Sequence, residues 1–274
     1  MCKTAELAAP AHGSVGWSSQ FVQLLYLGRV PYAEALEVQQ RVVAARKQDL
    51  IGDTLLLLEH PPVITLGRNA SRANILASEE LLARRGVEVR EVNRGGDVTY
   101  HGPGQLVGYP IVDLRGELPG KRGPYLGPVD FIRLLEEVLI RTCAEFGVLA
   151  KRIPKCTGVW TFGGEASAPA SAGGDRIAER KLAAIGVHVS RGVTSHGFAL
   201  NVTTDLRDFD WIVPCGIRDR GVTSLDLEAD SAAPPTMDPA IHATARNFGR
   251  VFHRQMVWCE SIEQLLAGTA CESA

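Results

Sequence analysis

Thr54-Leu55-Leu56-Leu57-Leu58-Glu59-His60-Pro61-Pro62 is the stretch that decides the fold class. Its short apolar run has no polar face, and His-Pro-Pro stops it. A strand covered on both faces needs no alternation, so this run reads as a buried central strand of a layered α/β sheet. Upstream, Phe21 to Gly28 reads as a strand, and Pro31 with Tyr32 opens a helix reaching about Gln48. Ala35, Leu36, Val38, Val42 and Val43 form its apolar face at roughly helical spacing.

Downstream, Glu79 to Arg85 predicts a short helix ended by Gly86, and Val87 to Val92 and Leu106 to Leu114 predict strands. Pro128 suits the first turn of a helix, where a missing N–H goes unnoticed. Phe131, Leu134, Leu135, Val138, Leu139, Cys143 and Phe146 form the buried stripe of that helix, which makes Cys143 a core residue. Gly158 to Phe162 and Lys181 to Ser190 predict a hairpin, and Phe198 to Val202 a further strand. Ala229 to Pro235 reads as a linker. Asp238-Pro239 supplies an N-cap and N1 proline for a last helix with Ile241, Ala245, Phe248 and Phe252 on one face. The expectation is one α/β domain over 20–256, a mixed β-sheet flanked by helices. Residues 1–19 read as a flexible extension, 163–178 as a flexible insertion of Gly, Ala, Ser and Pro, and 257–274 as a tail.

With 274 residues, 45% of them hydrophobic and 22% charged, the composition is that of an ordinary globular protein. A net charge of −2 gives no reason to expect nucleic acid or an anionic membrane as partner. No apolar run approaches the ~18 residues of a membrane span. The six cysteines lack a CxxC pair, which argues against a disulfide framework or zinc site and makes a reducing cytoplasm the expected compartment. Histidine spacing matches no compact metal set, so no metal is assigned.

Three segments could carry chemistry. Arg94-Gly95-Gly96-Asp97-Val98-Thr99-Tyr100-His101-Gly102-Pro103-Gly104-Gln105 sets hydrogen-bonding side chains on a backbone that can approach a ligand closely. Cys215, between Pro214 and Gly216, could be a nucleophile with a backbone N–H beside it for an oxyanion. Lys181 is one of only 6 lysines against 23 arginines, and lysine, unlike arginine, can act as a base. Each has a plainer reading: a polar turn, a small core residue, a solvated charge. His101, His188 and His196 are further candidates for proton transfer, and His101 or His196 could pair with Cys215 as in cysteine hydrolases.

Taken together, these segments resemble the lipoyl(octanoyl) transferases. The Arg94–Gln105 stretch is similar to that family's substrate-binding loop. Glu59 to Arg68, Lys181 to Gly186, Ser195 to Val202 and Pro214-Cys215-Gly216 resemble its other motifs in the same order, over roughly Phe21 to Leu227. The resemblance implies the α/β catalytic domain shared with biotin and lipoate protein ligases. It implies transfer of octanoyl from acyl carrier protein to a lysine of a lipoyl domain. Acceptors would be the lipoyl domains of 2-oxoacid dehydrogenase E2 subunits and the glycine cleavage H protein. Cys215 falls on the acyl-thioester nucleophile and Lys181 on the residue that activates it. Arg94, Gly95, Gly96, Asp97, Val98, Thr99, Tyr100, His101, Ala184, Ile185, Gly186, Gly197, Phe198 and Ala199 fall on substrate-contacting positions. No cofactor is implied. Three alternatives remain at this point: an ATP-dependent lipoate–protein ligase, a non-catalytic protein that binds acyl carrier or lipoyl domains, and an unrelated Cys–His hydrolase.

Overall fold

The computed structural model describes residues 20–162, 179–214, 220–230 and 234–268. The expected N-terminal extension and the 163–178 insertion therefore lie outside the described residues, as does the 269–274 end of the expected tail. In chain order the elements are β1 (Phe21–Arg29), α1 (Tyr32–Lys47), β2 (Asp53–Glu59), β3 (Val63–Leu66), α2 (Glu79–Arg84), β4 (Glu88–Glu91), β5 (Val98–His101) and β6 (Gln105–Ile111). There follow α3 (Pro128–Glu145), β7 (Ala150–Ile153), β8 (Cys156–Thr161), β9 (Lys181–Ser190), β10 (Val193–Asn201), α4 (Leu225–Glu228), α5 (Met237–Phe252), β11 (Gln255–Trp258) and α6 (Ile262–Ala267).

Eight strands form one mixed sheet in the order β11-β1-β2-β6-β10-β9-β8-β7. The β11–β1 and β1–β2 pairs are parallel, and the remaining pairs are antiparallel. Strand β2 is interior, as its leucines require, and it explains their monotony. Leu55 and Leu57 join a core cluster with Phe131, Leu135 and Val138 of α3 and Phe248 of α5. Leu56 and Leu58 join another on the opposite face, with Ala35 and Val42 of α1 and Leu265 of α6. Alternation of side-chain direction thus persists while both directions lead into core. Each such leucine contributes ~1.5–3 kcal/mol on burial. Cys143 is fully buried in the first cluster, and burial pushes its thiol up to about 12.

A second, three-stranded sheet has the order β4-β3-β5. Here the structure departs from the sequence reading, because the middle of the supposed Gly-rich loop, Val98–His101, is strand β5, antiparallel to β3. Two further expectations are corrected. The helix after the linker starts at Met237 with Thr236 as N-cap, so Asp238 lies two residues too far in to cap it and Pro239 is within the first turn. Nor does a tail begin at 257: β11 runs across that boundary in register with β1, and Val257, Cys259 and Leu265 are buried in the α1-side core.

Candidate active site

A cleft opens where β5, β6, β9, β10 and the start of α1 meet. Its lining includes Arg94, Gly95, Gly96, Asp97, Thr99, His101, Ala184, Ile185, Gly186, Gly197, Phe198 and Ala199. These residues come from three separated motifs. Antiparallel register explains the convergence: Gly197 faces Gly186, Phe198 faces Ile185 and Ala199 faces Ala184 across β10–β9. Gly186 is required by close approach, since a Cβ there would lie 2.6 Å from the carbonyl oxygen of Gly95. Through that contact, and the Gly95 N–H to Val187 oxygen bond of 3.0 Å, the Arg-Gly-Gly turn lies flat on β9.

Val98 and Tyr100 are not in this lining. On β5 alternate side chains face opposite ways, so while Thr99 and His101 face the cleft, Val98 and Tyr100 enter a cluster with Ile64, Leu66, Phe209 and Ile212. The Tyr100 hydroxyl donates to Asp208 Oδ2 at 2.5 Å, and burial together with that carboxylate raises its pKa. The two residues anchor the wall from behind. In the other direction, sequence reasoning missed Tyr32, Val107 and Tyr109, which together with His196 complete the lining. The tyrosine beside Gly108 and Pro110 was the available signal, because a large aromatic between two small or rigid residues marks a shaped strand surface.

Arg94, almost fully buried, holds the site's hydrogen-bond framework. Its Nη2 donates to the Thr65 carbonyl at 2.7 Å and to Thr65 Oγ1 at 2.8 Å, and Nη1 donates to the Gly95 oxygen at 3.0 Å. His101 Nδ1–H donates to Gln105 Oε1 at 2.7 Å, because Gln105 Nε2 is committed to the Tyr100 carbonyl and Asn201 Oδ1. That fixes the tautomer and leaves Nε2 as the acceptor toward Thr65 Oγ1, 3.5 Å away. Asn201 Nδ2 then donates to the Thr223 carbonyl at 2.9 Å, and the Thr223 N–H donates to the Lys181 carbonyl at 2.9 Å. A chain of polar contacts therefore runs from the cleft to Lys181.

Three buried histidines surround the cleft in neutral form. His101 is lowered to about 3 by burial, with the His60 and Arg94 charges adding to it. Burial likewise lowers His60 and His196 to about 4. They can accept or donate hydrogen bonds but do not titrate near neutrality. His188 lies in an adjoining cleft, its pKa lowered by burial and by the Arg68 and Lys47 charges.

Lys181 is buried at the first position of β9, with Nζ 4.7 Å from the centre of the Trp160 ring. Arg220 lies over the same ring at 5.5 Å. The Lys181 N–H donates to the Gly221 carbonyl at 2.9 Å. Cys215 and Gly216 belong to 215–219, outside the described residues; Pro214 and Arg220 are the described flanks. Among the described residues no His, Cys, Asp and Glu side chains group as a metal site, and no helix is long and apolar enough to cross a membrane.

The model of the lipoyl protein ligase A/B catalytic domain matches residues 31–249. An octanoyltransferase of Acidobacterium capsulatum is 61% identical over 246 residues, covering 89% of this chain and 96% of its own. The chain belongs to the lipoyl protein ligase A/B family, among its octanoyltransferases. It is an acyltransferase, and its activity is octanoyl transfer in protein lipoylation. The octanoyltransferase of Koribacter versatilis is 51% identical, covering 89% of this chain and 90% of its own. Among solved structures, a bi-partite lipoate protein ligase from Thermoplasma acidophilum superposes with a TM-score of 0.63 at 16% identity, covering 90% and 91% of the two chains. A lipoate-protein ligase A bound with ATP gives 0.60 at 18% identity, covering 89% and 92%. At those identities the structures establish the shared α/β fold.

Proposed function

We propose that Cys215 and Lys181 carry the transfer, with octanoyl-acyl carrier protein as donor and a lipoyl-domain lysine as acceptor. One observation supports this reading most: Lys181 is buried on the strand whose Ala184, Ile185 and Gly186 line the cleft. At a strand rise of ~3.3 Å per residue, Ala184 lies about 10 Å along β9 from it. The chain returning from 215–219 also pairs with Lys181 through Gly221 and Thr223.

Lys181 takes the Cys215 thiol proton, and the thiolate attacks the octanoyl carbonyl carbon. The carrier's sulfur leaves with the proton returned from Lys181, and octanoyl-Cys215 remains. A neutral acceptor amine then attacks that thioester. The Cys215–carbonyl bond breaks, Lys181 accepts the amine proton, and the proton passes back to sulfur as the amide is released. Arg94, Gly95, Gly96, Asp97, Thr99 and His101 position the acyl group, while Tyr32, Val107 and Phe198 give it an apolar bed. The acceptors are lipoyl domains of 2-oxoacid dehydrogenase E2 subunits and the glycine cleavage H protein. A cytoplasmic setting would keep Cys215 reduced.

Incubation with octanoyl-carrier should add one octanoyl group to Cys215, seen by mass spectrometry. An undiminished transfer rate in Cys215→Ser would defeat the mechanism. Lys181→Arg retains charge without a base at neutral pH, so it should lower kcat by ~10²–10⁴. Near-normal turnover would assign the lysine a purely electrostatic part.

A further inference from the structure

Past Gly186, the β9–β10 hairpin and α1 enclose a second cleft, bordered by Gln39, Lys47, Asn93, His188, Ser195 and His196. His196 is the residue common to both clefts. Their chemistry differs on its two sides. The first side presents Tyr109, Ile185 and Phe198, and the second sets Leu36, Val43 and Ala44 among amides, hydroxyls and a lysine.

The position of His196 is heavily determined. Its φ of +56° is a left-handed conformation that side chains other than Gly and Asn seldom adopt. Backbone outliers of this kind persist only where surrounding contacts impose them, and they gather at functional sites. Here the His196 N–H donates to Gln39 Oε1 at 3.1 Å, and Nε2–H donates to Asn93 Oδ1 at 2.6 Å. The ring also meets Tyr109 edge-on at 6.4 Å. Since Gln39 Oε1 is fixed by that N–H, its Nε2 is the amide's free end and has no hydrogen-bond partner. His188 Nδ1 also lacks one. The ring thus stands between the two clefts, held by its bond to Asn93 and by its backbone bond to Gln39.

We propose that His196 is the end wall of the acyl cleft and sets the length of acyl chain transferred, with Asn93 holding its ring in place. This rests on the reading above that Cys215 and Lys181 carry the transfer: the thioester then lies at the Lys181 end of β9, and the chain's methyl end points toward His196.

The test compares octanoyl- and dodecanoyl-carrier in the full chain carrying His196→Gly, His196→Asn or Asn93→Ala. Glycine and asparagine both tolerate the positive φ, so the first two variants relieve backbone strain as they shorten the wall. A single methylene can be worth tenfold or more in an apolar pocket. The dodecanoyl-to-octanoyl ratio of kcat/KM should therefore rise on the order of tenfold or more in His196→Gly, and less in the other two. Calorimetry with free octanoate and dodecanoate should show the same shift in binding without involving Cys215. An unchanged ratio in all three variants overturns the proposal. Loss of both fatty acids by variants that keep the wild-type melting temperature overturns it too, because His196 would then be a general support for binding. Failure of the wild type to form octanoyl-Cys215 while the fatty-acid shift is observed would count against the transfer mechanism and leave the end wall standing.

Discussion

Individual residues at this site act through closeness as much as through functional groups. Gly186 lets the Gly95 carbonyl rest on β9, and a methyl group there would overlap it. Gly186→Ala should push the Arg-Gly-Gly turn off the strand, costing ~1–3 kcal/mol of stability as an overpacked contact. A drop in melting temperature together with a raised KM for the acyl donor would register it; wild-type values for both would mean that the turn can shift freely. Such contacts are invisible in a sequence, where Gly186 is simply a glycine in an apolar strand. Polar groups were easier to find, and Arg94, Asp97, Thr99 and His101 were legible as a binding wall from their density. Their neutral or committed states were not, because burial and partners such as Gln105 and Asn201 come from distant segments. Tyr32 and Tyr109 escaped notice for a related reason, since each is an ordinary aromatic until α1 is laid over β6.

At the level of elements, legibility depended on length and on how plainly a period was displayed. The four leucines of β2 and the stripe of α3 marked long elements and were read correctly. Strand β3 has only four residues between a Pro-Pro turn and Gly67, and β5 has four between glycines. Their punctuation outweighed their periodicity, although Val-Thr-Tyr-His alternates apolar and polar as a strand should. The consequence is specific: β5 is two-faced, with His101 toward the cleft and Tyr100 toward Asp208. Tyr100→Phe removes a donor from a carboxylate and should cost ~1.5–3 kcal/mol in chemical denaturation. A change below a few tenths would show that water replaces the phenol at Asp208. The misplaced N-cap of α5 has a similar origin, since Asp238 and Thr236 are both good cap residues and only the chain's path selects between them.

For the whole molecule, the buried neutral histidines link stability to pH. Folded values of about 4, 3 and 4 for His60, His101 and His196 lie below the ~6.5 of an unfolded chain. Between about pH 6.5 and 4 the unfolded chain therefore binds protons that the folded one does not. Stability is complete above that window and falls as pH drops through it, by up to ~1.4 kcal/mol per histidine per pH unit. Urea unfolding at pH 7, 6 and 5 should show the decline, and His60→Gln should make it shallower. If that replacement leaves the slope untouched, His60 titrates alike in both states.

The sheet's edge carries a further consequence. Strand β1 lies between β2 and β11, so Phe21 to Leu24, near one end of the chain, bond to Gln255 to Trp258, near the other. During synthesis β1 can pair with β2 early, but its outer edge stays open until β11 has been made. Long-range parallel pairing of this kind is slow to form, and an open edge invites pairing with another chain. Strand β11 thus exchanges the open edge of the 9-residue β1 for its own of 4 residues, and the nascent protein is most exposed to aggregation before that exchange.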